Sequence, residues 1–405
     1  MTLVFPFEEK PFGVFLSGNA PFFVFKHLPF TIYHLPYYQV RILQISSAKN
    51  FGGGEKHLID LATGLTNRGH EIFAALRSEN NWQTKLAFLP KENLFNLSLR
   101  NSIDIFSARR LAKFAIKKKI EIIHAHLARD YPLAALASYL SKIPLILTRH
   151  LLFPLNSFHR VTVKQADKII AVSKGVAESL LSNNVVSAKK VSVVHNGVDT
   201  NVFKQAAKDI KKREKIRRKI ALNAKFLIGT IGELRQHKGQ EDFIRAAAIV
   251  AQKHQDAKFL IVGADNSANQ NYRIYLENLV NKLNLKNQII FTGWLEEMPT
   301  LYAALDIFVS AARSEPFGLV IAEAMASGTA IVAAKTVGAS EILEDNITGI
   351  LTPVENPQAI ADVIFELLED EKRRKSLGKI AQEKATEKFS LERMIAETEG
   401  IYKQL

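Results

Sequence analysis

The chain contains no cysteine in 405 residues, which excludes disulfides, thiol nucleophiles and any Cys-ligated metal. The compartment stays open on that ground, with the cytoplasm compatible. No unbroken apolar run reaches membrane-spanning length, and no basic segment leads into an apolar one near the start. Neither a transmembrane helix nor a signal peptide is therefore expected. No internal repeat is visible beyond a coarse alternation of strand and helix patterns.

What is present is that alternation, sustained over a length that exceeds one compact core and predicts two domains of roughly two hundred residues each. Short apolar runs read as strands at 42–45, 71–76, 120–126, 145–149, 168–172 and 191–195. A second set follows at 226–230, 258–262, 288–292, 307–310 and 330–333. Strands separated by helical patterns imply parallel sheets with crossover helices. The segment 193–203, followed by a polar run to Lys219, marks the boundary. The expected units are 41–223, 224–385 and a terminal helix over 386–405 that packs back on the first domain. Residues 1–40 are rich in Phe, Pro and Tyr and broken by five prolines. They read as an extension of low order, an upstream start that is not used, or a membrane-touching aromatic segment.

Charge is uneven. Residues 41–223 hold 32 Lys and Arg against 13 Asp and Glu, while everything after 223 holds 20 against 25. Only the first half is basic, which implies an anionic partner or a solvated helix surface. Lys117, Lys118 and Lys119 and the run Lys208 to Arg218 are the clusters. They carry no interleaved aromatics, which argues against nucleic acid.

The stretch SEPFGLVIAEAMASG places Glu315 and Glu323 on either side of a turn that opens a helix. Pro316 and Gly318 interrupt the backbone, so the amides of Phe317, Gly318 and Leu319 are expected to crown a helix N-terminus, which attracts anions. A phosphate flanked by two hydroxyl-binding carboxylates suits a nucleoside diphosphate sugar. Earlier, RILQISSAKNFGGGEKH reads as a strand, a turn at Gly52, Gly53 and Gly54, and a helix from about Glu55. Such a turn lets backbone amides approach a phosphate. IPLILTRH ends a strand on His150, and IIHAHLARD places His124, His126 and Arg129 at another strand end, where open parallel sheets bind ligands. With no third ligand nearby in sequence, the His-Ala-His pair reads as acceptor-side or structural and not as a zinc site.

The EPFGLVIAEAMASG segment resembles the signature of retaining glycosyltransferases of the GT-B fold, in particular glycosyltransferase family 4 (group 1), and the other segments match in order from Arg41 to Leu405. The resemblance implies an α/β fold of two Rossmann-like parallel-sheet domains facing each other across a cleft. The first binds the acceptor and the second the nucleotide sugar. It implies that Glu315 holds donor-sugar hydroxyls, that Glu323 holds the ribose, and that His150 contacts the sugar near the reacting carbon. Gly53, Gly54, Phe317, Gly318 and Leu319 line the diphosphate. Lys238, in LIGTIGELRQHKGQ, neutralises the leaving diphosphate. Relatives carry Arg after the strand-end glycine, where this chain has Glu233. Arg235 is expected to substitute, with Glu233 pointing away. No Asp-x-Asp motif occurs, and neither a metal nor another cofactor is expected.

The implied reaction moves a sugar to a hydroxyl with retention at the anomeric carbon, in synthesis of a cell-surface polysaccharide, lipopolysaccharide or glycolipid. The partners implied are a nucleotide-sugar donor, an anionic or lipid-linked acceptor and an anionic membrane touched peripherally on the cytoplasmic face. Two alternatives stay open, a sugar-nucleotide epimerase of the same fold and a non-catalytic binding relative.

Overall fold

A computed structural model describes residues 39–97, 104–152, 155, 157–182, 185–221 and 224–405. The chain divides into a unit of residues 1–37 and a unit of residues 38–405. The extension expected over 1–40 lies almost wholly outside the described residues.

The larger unit contains two parallel sheets. The first comprises β1 (Arg41–Ser46), β2 (Glu71–Arg77), β3 (Leu94–Leu97), β4 (Ile122–Ala125), β5 (Leu145–Arg149), β6 (Lys168–Ala171) and β7 (Val191–Val193), in the order β3-β2-β1-β4-β5-β6-β7. The second comprises β8 (Phe226–Ile231), β9 (Ala257–Val262), β10 (Ile289–Gly293), β11 (Ile307–Ser310), β12 (Ala330–Ala334) and β13 (Ile350–Thr352), in the order β10-β9-β8-β11-β12-β13. Central strands such as LILTR are buried at every position, because helices cover both faces. The edge strands β3 and β13 were not expected. Each is four residues or fewer, too short to show a period.

The chain order reverses beside β1 and again beside β8, so the loops leaving β1, β4, β8 and β11 open at switch points where ligands bind. Gly239, which opens the helix Gln240–Lys253, has φ +69° and a hypothetical Cβ 1.8 Å from the Ala311 carbonyl oxygen. Only glycine fits where these two loops touch.

The boundary differs from the expectation. Helices Thr200–Lys208 and Ile210–Ile220 pack against Met298–Ala304 of the second lobe. Arg217 donates to the Ala304 carbonyl at 3.0 Å and to Asp306 at 2.9 Å. Residues 41–199 then carry 23 basic against 11 acidic side chains and residues 200–405 carry 29 against 27. The basic character of the first lobe survives without the Lys208 to Arg218 run. At the other end, helix Leu391–Tyr402 lies on Gly53–Asn67. Met394, Ile395, Ile401 and Tyr402 share a buried cluster with Leu58, Leu61 and Leu65, and Gly64 leaves the space that Ile395 fills.

Candidate active site

The second lobe contributes the loop from Ser314 to Gly318 and the helix Leu319–Ser327. Gly318 caps that helix with φ +98°, and no side chain caps it, so its first amides are available to an anion. Lys238 Nζ lies 2.7 Å from Glu315 Oε2, with the carboxylate buried. Two groups from different strand ends, 77 residues apart, thus converge beside one helix N-terminus. Phe317 is mainly structural. Its ring is buried against His195 and Phe389, because the loop needs an apolar anchor where it turns.

Glu323 is turned inward and accepts from Tyr302 Oη at 3.0 Å. Burial raises its pKa, against the pull of Lys56 and the tyrosine hydroxyl. Lys56 belongs to the first lobe. Burial pulls it down, but Asp60, 2.6 Å away, and Glu323 outweigh that and hold its ammonium above the usual range. Lys56 thus faces the ribose candidate across the cleft, a role that its position inside GGGEKH did not reveal.

Glu233, expected to turn away from the diphosphate, pairs with the residue expected to substitute for the missing arginine. Its carboxylate receives Arg235 Nε at 2.9 Å and Asn266 Nδ2 at 3.1 Å. A carboxylate and a guanidinium two residues apart in one loop are within reach of each other. Arg235 is more than half exposed, and the pair is correspondingly weak.

In the first lobe the helix starts at Gly53, with Gly52 as an extended N-cap. A Cβ at Gly53 or Gly54 would meet nothing within 4 Å, so the space a side chain would fill is open. Arg129 is tied to Ser47 through Oγ at 2.5 Å and through the Ser47 carbonyl. Asp130 takes the Ser47 amide at 2.8 Å. Both residues hold the loop after β1.

His124 is not an acceptor contact. It is fully buried, with Nδ1 2.7 Å from Tyr402 Oη and Nε2 2.7 Å from Thr148 Oγ1. The terminal helix seals the sheet face on which strand periodicity puts both His124 and His126. His126 is buried too, its Nε2 2.6 Å from Gln44 Oε1. His150 is half-buried at the end of β5. Its neighbours are His57, with ring centroids 4.9 Å apart, and His126, at 6.1 Å. His57, on the helix after the glycine turn, was missed because its partners lie 69 and 93 positions away in sequence.

The lobes also touch through residues that no motif flagged. Ser173 Oγ donates to the Pro316 carbonyl at 2.7 Å. Glu341 accepts from the amides of Lys174 and Gly175 and lies 2.6 Å from His195 Nε2. Burial pushes Glu341 up, yet the His195 ring and the two amides prevail and keep it below the usual range. This carboxylate on the N-terminus of helix Lys174–Leu181 docks helix Val337–Ile342 of the second lobe onto the first.

Residues 212–384 match the profile described as glycosyl transferases group 1, and residues 51–202 match glycosyltransferase family 4. The chain is 27% identical over 379 residues to N-acetyl-alpha-D-glucosaminyl L-malate synthase of Bacillus anthracis, covering 88% of this chain and 95% of that protein. It is 28% identical over 302 residues to D-inositol 3-phosphate glycosyltransferase of Corynebacterium aurimucosum, covering 70% and 71%. The crystal structure of Anabaena HepE in complex with UDP-glucose superposes with a TM-score of 0.80 at 26% identity, covering 91% of this chain and all of that one.

Proposed function

The chain belongs to the group 1 glycosyltransferases, and from that membership we propose that it transfers a sugar from a nucleoside diphosphate sugar to a hydroxyl, with retention at the anomeric carbon. The observation that carries the reading is the Lys238–Glu315 pair beside the uncapped Gly318 helix end, opposite the open backbone at Gly53 and Gly54. HepE binds UDP and UDP-glucose, which supports a uridine donor here. The diphosphate lies between Lys238, the amides of Gly318 and Leu319 and the Gly53 turn. Glu315 and His150 hold the sugar, and Glu323 holds the ribose. As the glycosidic bond breaks, charge grows on the diphosphate, and these fixed donors stabilise it without reorganising. A leaving phosphate oxygen takes the acceptor proton on the same face, which delivers retention. The transfer step needs no metal in this scheme.

Glu323→Ala tests the nucleotide half. Ribose contact is common to ground and transition states, so donor affinity should fall by about tenfold or more, the scale of one charge-assisted hydrogen bond, with kcat little changed. Titration calorimetry with UDP reads it, and unchanged affinity in a folded variant would remove Glu323 from the site. Product NMR reads the anomeric configuration.

The acceptor is anionic or lipid-borne, in cell-surface glycan or glycolipid synthesis. The basic first lobe supports this, as do two relatives whose names carry malate and inositol 3-phosphate. Membrane contact runs over the outer face of helix Ile105–Lys117, where Phe106 is 79% exposed beside exposed Arg109, Arg110, Lys113 and Lys117. No helix among the described residues is long and apolar enough to cross a membrane; the attachment proposed is peripheral, on the cytoplasmic face. Basic side chains near an anionic surface contribute about 1 kcal/mol each. Arg109→Ala with Arg110→Ala should therefore lower binding to phosphatidylserine-containing vesicles by about tenfold or more, and added salt should release the wild type. Binding that ignores lipid charge refutes the contact.

A further inference from the structure

The chain has no cysteine, and its sequence offers no close-spaced set of three ligands, yet the fold assembles one. His57 from the helix after β1, His126 from the end of β4 and His150 from the end of β5 each bring a ring nitrogen to within 4.8 Å of the other two. Each ring also has a buried nitrogen without any hydrogen-bond partner: Nδ1 of His57, Nδ1 of His126 and Nε2 of His150. An unsatisfied nitrogen on each of three clustered buried rings is unusual, since a buried polar atom left unpaired costs on the order of 1–3 kcal/mol.

From this geometry we propose that His57, His126 and His150 form a binding site for one divalent transition-metal cation of the zinc class. Three imidazoles with no carboxylate form a donor set that suits zinc, copper or nickel and not magnesium or calcium. The outer shell fits as well. His126 Nε2 lies on Gln44 Oε1, a carbonyl oxygen that can only accept. The ring proton therefore sits on Nε2, and the lone pair is left on the unpartnered Nδ1. Donation of the second ring nitrogen to an oxygen is the usual way a metal-bound histidine is oriented.

Bonds of about 2.0–2.1 Å require nitrogens roughly 3.4 Å apart in a tetrahedron, so the rings draw together by on the order of 1 Å as the cation enters. His150 is the least buried of the three and leaves the fourth position toward the cleft. The site shares His150 with the proposed donor-sugar position, but metal binding is measured with neither donor nor acceptor present, so its failure and that of the transferase reading are distinguishable.

The test uses the full chain without a histidine tag, stripped with a chelator and dialysed. Isothermal titration with Zn2+ should give one ion per chain with a Kd in the micromolar range or tighter, and Co2+ should give the visible absorption of a tetrahedral nitrogen-rich site. His57→Gln and His150→Gln, checked by circular dichroism in the metal-free state, should each weaken Zn2+ binding by about 100-fold, as expected for loss of one ligand in three. Absence of stoichiometric binding by the wild type overturns the proposal. So does binding that survives unchanged in both variants, which would place the ion elsewhere. The wild-type titration decides the matter even if one variant fails to fold.

Discussion

Lys238→Ala is expected to lower kcat by about a hundred- to a thousandfold, the range for losing one preorganised donor to developing negative charge, while KM changes by only a few-fold. The asymmetry follows from where the charge appears. On the proposed reading, the donor diphosphate already has the uncapped helix end at Gly318 and the Gly53 turn to lie against before reaction. As the sugar departs, the terminal phosphate gains charge that a nearby ammonium answers most directly. Glu315 holds that ammonium at 2.7 Å, which positions Lys238 beside the helix end.

Arg235 provides the internal comparison. Its guanidinium is exposed and engaged by Glu233, so Arg235→Ala should cost only about tenfold, one charge-assisted contact, and Glu233→Ala should be nearly silent. Steady-state kinetics across a range of donor concentrations separates these cases. A Lys238→Ala enzyme with normal kcat and a raised KM would assign the lysine to ground-state binding. A crippled Glu233→Ala beside a silent Arg235→Ala would move the phosphate site out of this loop.

Gly338→Val is expected to destroy donor binding and to destabilise the second lobe by about 1–3 kcal/mol or more, the cost of forcing atoms into a packed site. Gly338 lies 20 residues beyond Gly318 and touches no expected ligand. A Cβ there would come within 2.5 Å of the Phe317 carbonyl oxygen, 2.6 Å of the Phe317 nitrogen and 2.7 Å of the Glu315 carbonyl oxygen. All three are backbone atoms of the loop that carries Glu315, and they cannot swing aside as a flexible side chain would. The Gly338 amide also donates to the Glu315 carbonyl at 2.9 Å, so the larger residue both pushes the loop outward and strains the bond that holds it.

Glu315 then leaves Lys238, and the Gly318 helix end shifts with it. Differential scanning calorimetry and UDP titration together read the effect. Affinity for UDP should fall by at least a hundredfold, and melting should drop by several degrees, at roughly 2–4 °C per kcal/mol for a lobe of this size. A Gly338→Val protein that melts and binds UDP like the wild type would show that the loop is not seated on this glycine. Gly53→Ala is the contrasting change, since a Cβ there meets no atom within 4 Å and the fold should tolerate it.

The α/β class, the two parallel sheets and most of their strands were legible because buried parallel strands are continuous apolar runs between turn signals, a local pattern that needs no partner to be read. The short edge strands Leu94–Leu97 and Ile350–Thr352 were not, being defined by hydrogen bonds to a neighbour and not by a period of their own. Glu315, Lys238, Gly318 and the Gly53 turn were legible for the same local reason, since each sits at a strand end or a helix start. Resemblance, not spacing, supplied their roles.

Tertiary structure alone decided the rest, all of it contacts between residues far apart in the chain. Helices 200–220 went to the second lobe because Arg217 finds Asp306 and Ala304 there. His124 became structural because Tyr402, 278 residues away, covers it. Glu341 met His195 and a helix end, and His57 joined His126 and His150. A sequence records which side chains can pair. Which of them do is set by the crossover paths that carry strand ends and the terminal helix to one place, and those paths follow from the packing of whole sheets, not from any segment read alone.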